Sequence, residues 1–136
     1  MSSILKFAAA ILLPGTVGAA LSVAPARADV VTDWNVIANA LVAKDVGNNP
    51  KLRTLAMVHV AMSDAINTVQ NRYTRVVATL PAAPGASAEA AAATAARQIL
   101  TRIYPEQKAK IEETYAASLK AIPDGSAKTE GIKLGM

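Results

Sequence analysis

Between Leu55 and Ile66 only three residues are polar: His59, Ser63 and Asp64. Asn49 is a good N-cap and Pro50 suits a first helical position, so the pattern predicts a helix from there to Thr68 or Val69. Leu52, Leu55, Ala56, His59, Ser63 and Ile66 fall on one stripe of that helix, with Met57, Val60 and Ala61 on a second beside it. A helix that is apolar nearly all round belongs in the middle of a bundle, covered on every side. The rest of the chain therefore has to supply helical neighbours.

It supplies them as amphipathic stretches between short Pro/Gly turns, with no sustained strand alternation. A first helix is expected from Asp33 to about Lys44, capped by Thr32 or Asp33 and closed by the VGNNP turn. The segment QNRYTRVVATLPAAPGASA reads as an ordered surface connection that can form a long arm. Ser87 caps a third helix, AEAAAATAARQILTRIY, whose alanine content favours helix strongly and whose Ala92, Ala96, Ile99, Leu100 and Ile103 keep a helical stripe. Pro105 disfavours helical geometry at Tyr104 and opens a fourth helix to about Ala121. There Ile111, Tyr115, Leu119 and Ile122 share a side, and Lys108/Glu112 and Glu106/Lys110 sit at ion-pair spacing. A fifth helical pattern follows Asp124-Gly125 and runs to the end of the sequence without a closing cap. Its Gly131-x-x-x-Gly135 spacing points to close packing. The fold class is all-α, a helical bundle of about five helices over residues 29–136, and its last helix reads as truncated.

Residues 1–28 have the form of an export signal. MSSILK carries one positive charge, Phe7–Val23 is apolar but interrupted by Pro14-Gly15, and Ala26-Arg27-Ala28 is a small-x-small cleavage site that would release Asp29. A membrane anchor wants about 20 unbroken apolar residues; cleavage is the expected outcome, leaving no stable anchor and placing the product in the periplasm or the medium. The absence of cysteine leaves stability to the core or to a partner. After residue 28, twelve basic residues face ten acidic ones, a balance of +2, with no basic run interleaved with aromatics. Nucleic acid is not an expected partner.

His59 is the only histidine, and Asp64 lies five residues on. At about 100° per residue the two are about 140° apart around the helix, so they cannot pair within it. The expected role of His59, Asp64 and Asn67 is as buried polar groups satisfied by neighbouring elements. No second histidine, cysteine or carboxylate cluster completes a metal site, and no third residue orients a Ser63–His59 pair. No catalytic, cofactor-binding or metal residue is assigned.

The order DVVTDWNVIANAL, LRTLAMVHVAMSDAINTVQNRYT, LPAAPGASAEAAAATAARQIL and YPEQKAKIEETYAASLKAIPDG resembles the N-terminal helical region of bacterial vanadium-dependent haloperoxidases, which share a superfamily with the type 2 phosphatidic acid phosphatases. The resemblance covers essentially all of the sequence after residue 28. It implies an all-helical bundle in which later helices bind vanadate or phosphate through a lysine followed by Arg-Pro, a Pro-Ser-Gly-His element and a Ser-Arg element followed by histidine. Such cations neutralise the oxyanion while one histidine binds the vanadium or attacks phosphorus and the other moves protons. None of the three motifs occurs in this sequence. His59 falls in the scaffold part of the resemblance. The expectation is an exported scaffold portion, inactive alone, with vanadate a cofactor of the full-length family only, and with a C-terminal catalytic region or a homo-oligomer partner completing it. Rival readings are a stand-alone exported helical binding module and a membrane-tethered helical protein that keeps residues 1–28.

Overall fold

The computed structural model describes residues 29–136, so the expected export signal and its expected cleavage site at Ala26 and Ala28 lie outside the described residues. Among the described residues five α-helices form a bundle: α1 (Val30–Val42), α2 (Asn48–Gln70), α3 (Ala88–Ile103), α4 (Lys108–Lys120) and α5 (Ser126–Leu134). A single 3-10 turn, Pro105–Gln107, leads into α4. No strand is present among the described residues. The fold is all-α.

The helix at the centre is α3, not α2. Every residue from Ala90 to Ala96 is buried, and α3 touches α1, α2, α4 and α5. The nearly unbroken apolar stretch Leu55–Ile66 suggests α2 for this place, but size decides it. Alanine side chains let four neighbouring backbones approach one axis, which bulky residues would hold apart. The helix α2 instead buries Thr54, Val58, Met62, Ala65 and Thr68, a different stripe from the one its apolar spacing indicates. Leu52, Ala56 and Ser63 face solvent. Cover on its remaining side comes from the connection between α2 and α3.

The main core gathers Trp34, Ala38, Leu41 and Val42 of α1, Val58 and Met62 of α2, Ala92, Ala93, Ala96 and Leu100 of α3, then Tyr104 and Ile111. A smaller cluster of Ala65, Ala91 and Ala95 receives Leu134 of α5.

Several helix ends differ from expectation. The cap of α1 is Asp29, whose Oδ1 accepts from Thr32 N–H at 2.9 Å; starting there lets Val30 and Val31 pack on the core. Gly47 precedes α2 with φ +85° and provides no side-chain cap. Pro50 is then the third helical residue, where the backbone N–H has no intrahelical partner to lose. Ser87 caps α3 as its sequence indicates, its hydroxyl accepting from Ala90 N–H at 3.1 Å. Asn71 ends α2 in the left-handed region at φ +50°, a conformation asparagine tolerates better than most residues.

The α3–α4 hairpin is fixed by side chains that sequence spacing along α4 does not reveal. Glu112 accepts from Arg97 of α3 rather than from Lys108, with Nε at 3.0 Å and Nη2 at 2.6 Å. The guanidinium lies 5.1 Å from the Tyr115 ring centroid. Tyr115 Oη is 2.9 Å from Thr94 Oγ1. Because Thr94 donates its hydroxyl proton to Ala90 O at 2.7 Å, Tyr115 is the donor. The bonded Arg97 guanidinium, despite partial burial, holds the Glu112 carboxyl below its usual range. This ion pair is about one-third exposed, so Arg97→Lys, which loses the two-pronged bond and the stacking, is expected to cost about 1 kcal/mol. Urea unfolding at pH 7 and at pH 3 checks it. The penalty is present above the ordinary glutamate pKa and shrinks as pH falls through the lower folded value.

Candidate functional site

The polar residues of α2 lie on two separate sides. His59 is half-buried rather than buried, and its Nε2 is 3.0 Å from Asn35 Oδ1 of α1. Asn39 Nδ2 donates to the same Asn35 oxygen at 2.9 Å and to Asn35 O at 2.8 Å. Asn35 Oδ1 is therefore an acceptor, so His59 donates Nε2–H to it and its other nitrogen carries the lone pair when the ring is neutral. This contact pins α1 to α2 through neutral amides. No carboxylate hydrogen-bonds the ring, and Ser63 is exposed.

Asp64 does something that no residue spacing indicates. Its side of α2 is buried, with 4% of the residue exposed, yet its partners are backbone. Val76 N–H donates to Oδ1 at 2.7 Å, and Val77 and Ala78 N–H donate to Oδ2 at 2.7 and 2.8 Å. Three successive amides thus converge on one carboxylate, an arrangement that holds an anion without a formal counter-charge. Arg75 adds positive potential. Its Nη1 donates to Leu80 O at 2.7 Å and reaches Thr68 Oγ1 at 3.4 Å. Burial pushes the Asp64 carboxyl up, but the three amides and Arg75 together outweigh it and hold the group below its ordinary value.

The sign of the pH dependence follows. With the folded pKa depressed, the anchoring contribution is complete above the ordinary aspartate pKa and is lost as pH falls through the lower folded value. An NMR titration should show the Asp64 carboxyl carbon and the Val76–Ala78 amide protons shifting together, below pH 3.8. Titration at the ordinary value, or amide protons that do not respond, would contradict the geometry.

Asn67 is also buried, and its carbonyl accepts from Asn71 N–H at 2.9 Å to close α2. The three polar residues singled out in α2 are therefore not brought to one place. His59 faces α1, Asp64 faces the α2–α3 connection, and Asn67 lies near the helix end.

Several crevices flank the bundle among the described residues, and two of them border apolar side chains of its helices. One, about 360 Å³, is lined by Asp29, Asp33 and Glu89 together with Val30, Ile122 and Pro123. The other, about 340 Å³, is an apolar groove whose walls are Val60, Ala61 and Ala65 of α2, Ile99 of α3, Leu134 of α5, and Val77 and Leu80 of the connection. No group of three or more metal-binding side chains occurs among the described residues. None of their helices is long and apolar enough to cross a membrane. No family model, curated protein or solved structure matches the chain.

Tyr104, Arg97 and Glu112 are structural participants that sequence reasoning did not single out as a set. Tyr104 Oη donates to Asp45 Oδ2 at 2.6 Å, tying the end of α3 to the α1–α2 turn. Burial first, and the adjacent Asp45 second, raise the Tyr104 pKa and keep the hydroxyl a donor. A signal for the other contacts exists in the sequence: Arg97/Glu112 and Thr94/Tyr115, separated by 15 and 21 residues, are both centred on the Tyr104–Pro105 bond. An antiparallel hairpin turning there brings such pairs together.

Proposed function

We propose that the chain is the exported N-terminal helical scaffold of a vanadium-dependent haloperoxidase-like or acid phosphatase-like enzyme, and that the oxyanion chemistry belongs to later helices packed against it. The observation that supports this reading most directly is the engagement of its α2 polar residues. His59 is bonded to a neutral amide and Asp64 to three backbone amides, so both act in holding elements together. The resemblance in the order of sequence elements is what supports this family. Vanadate or phosphate would then be a ligand of the whole enzyme, and this part would fix the bundle on which the pocket is built.

The test is to sequence the gene and transcript in frame past the Met136 codon. Continuation into Arg-Pro, Pro-Ser-Gly-His and Ser-Arg…His elements is expected, and the full product should then show vanadate-dependent halide oxidation or phosphatase activity. A stop directly after Met136 would overturn the reading. A second reading, a stand-alone exported helical binding module, draws support from the apolar groove beside α2, α3 and α5. It requires the exported product to unfold cooperatively as a compact monomer or a defined oligomer without further chain.

A further inference from the structure

The connection between α2 and α3 has an unusual balance of attachments. It contains no regular secondary structure between Asn71 and Ser87. Its two valines are largely exposed, Val76 by 71% and Val77 by 75%, although Val77 also borders the apolar groove. Its bonds to the helical frame are few. Val76, Val77 and Ala78 N–H donate to Asp64. Ala83 N–H donates to Thr68 O at 2.9 Å, and Arg75 reaches Thr68 Oγ1 at the long distance of 3.4 Å. The other Arg75 bond, to Leu80 O, stays within the connection and stiffens it. Beneath lies the groove of about 340 Å³, with Met57, Val60, Ala61 and Ala65 on one wall and Ala95, Ile99 and Leu134 on the other.

We infer that residues 75–80 form a strap latched by a single side chain, Asp64, and that releasing this latch opens the strap as a unit and uncovers the apolar groove while the five helices stay packed. Two features set the opening apart from unfolding. The contacts that join α2 to α3 use Val58 and Met62 with Ala92, Ala93 and Ala96, none of which belongs to the strap. And the strap gives up limited apolar burial on leaving: Val76 and Val77 are already mostly in water, and Leu80, 44% exposed, is its one large apolar side chain that is more than half covered. Segments held by a few polar bonds and little buried apolar surface open locally, well below the global unfolding free energy. Opening also returns the Asp64 carboxylate to water, which offsets part of the loss of its three amide bonds.

Amide hydrogen exchange on the full chain at pH 7, compared with Asp64→Ala and Arg75→Ala variants, tests the latch. Expected for Asp64→Ala is exchange of Val76, Val77 and Ala78 that is faster by about a hundredfold, with helix amides of α3 unchanged. An apolar fluorescent dye should bind the variant more strongly than the parent. Formate at high concentration, which fits the vacated amide cradle, should restore protection to the three amides. Arg75→Ala, which leaves Asp64 and its bonds in place, should raise strap exchange by a smaller factor, about tenfold or less. This variant keeps the test open if Asp64→Ala fails to fold. The inference is overturned if strap and α3 amides lose protection together in either variant, since the strap is then part of the global unit. It is equally overturned if strap exchange is unchanged in a folded Asp64→Ala protein.

Discussion

Trp34→Ala is expected to destabilise the protein by about 3–5 kcal/mol, whereas Trp34→Phe should cost less than about 1.5 kcal/mol. Trp34 is fully buried at the junction of α1 with the main core. Removing the indole leaves a void lined by α1, α2 and α3 side chains, and small helical bundles have little slack with which to close it. The phenylalanine variant is milder for a specific reason. Trp34 Nε1 is buried and has no hydrogen-bond partner among the described residues. An unpartnered buried donor carries a desolvation penalty of about 1–3 kcal/mol, and phenylalanine removes that penalty along with part of the contact area. Far-UV circular dichroism in urea is the proper readout, because Trp34 is the only tryptophan and both variants lose its fluorescence. A native domain of this size holds roughly 5–15 kcal/mol, so the alanine variant should unfold at markedly lower urea. If phenylalanine proved as damaging as alanine, the indole N–H must have a partner that the structure does not show.

The two tryptophan substitutions also illustrate what the sequence makes legible. Trp34 reads as a core residue by its helical spacing with Ile37 and Leu41, and the structure buries Trp34 and Leu41 together. The Ser87 cap reads equally well, because a serine directly before an alanine-rich run has one obvious use. The central position of α3 does not. Hydrophobic patterning draws attention to long apolar stretches, and Leu55–Ile66 of α2 is such a stretch. Centrality depends as well on how many backbones can crowd around one axis, and Ala90–Ala96 wins on size. The start of α1 is ambiguous for a different reason: Asp29, Thr32 and Asp33 all offer a capping oxygen, and the packing of Val30 and Val31 selects the first of them.

Asp64 marks the limit of such reading. A carboxylate on an apolar helix face announces that some partner must exist. The partners are the amides of Val76, Val77 and Ala78. Every residue type except proline carries that group, so no side-chain pattern records it. The His59 contact is hidden in the same way, since Asn35 could as well have been a solvent-facing residue of α1. Both polar groups were legible as needing neighbours, and neither neighbour was.

Gly131→Ala should cost about 2 kcal/mol and act by lifting α5 from the bundle rather than by unfolding it whole. The glycine is buried against α3. A Cβ added there would overlap the carbonyl oxygen of Ser87 and lie 2.9 Å from Ala90 Cβ. Gly135 is in the same position one helical turn later, where a Cβ would overlap Ala91 O. Backbone atoms of a central helix cannot rotate aside as a flexible side chain would, so α5 itself has to move. The substitution also pulls the other way: alanine raises intrinsic helix propensity over glycine by about 1 kcal/mol. A net loss therefore shows that docking, not helix formation, is what the glycine serves. Combining Gly131→Ala with Gly135→Ala separates local from global effects. Once α5 has left α3, the second clash has nothing to clash with, so the double variant should lose less than the sum of the singles. Hydrogen exchange should locate the damage in α5, in the Ser87 N–H that donates to Ala127 O at 2.8 Å, and in little else. Full additivity with loss of α2 and α3 protection would mean that α5 is an inseparable part of the core. A stabilised Gly131→Ala protein would mean that the two helices do not approach as closely as their glycine and alanine faces allow.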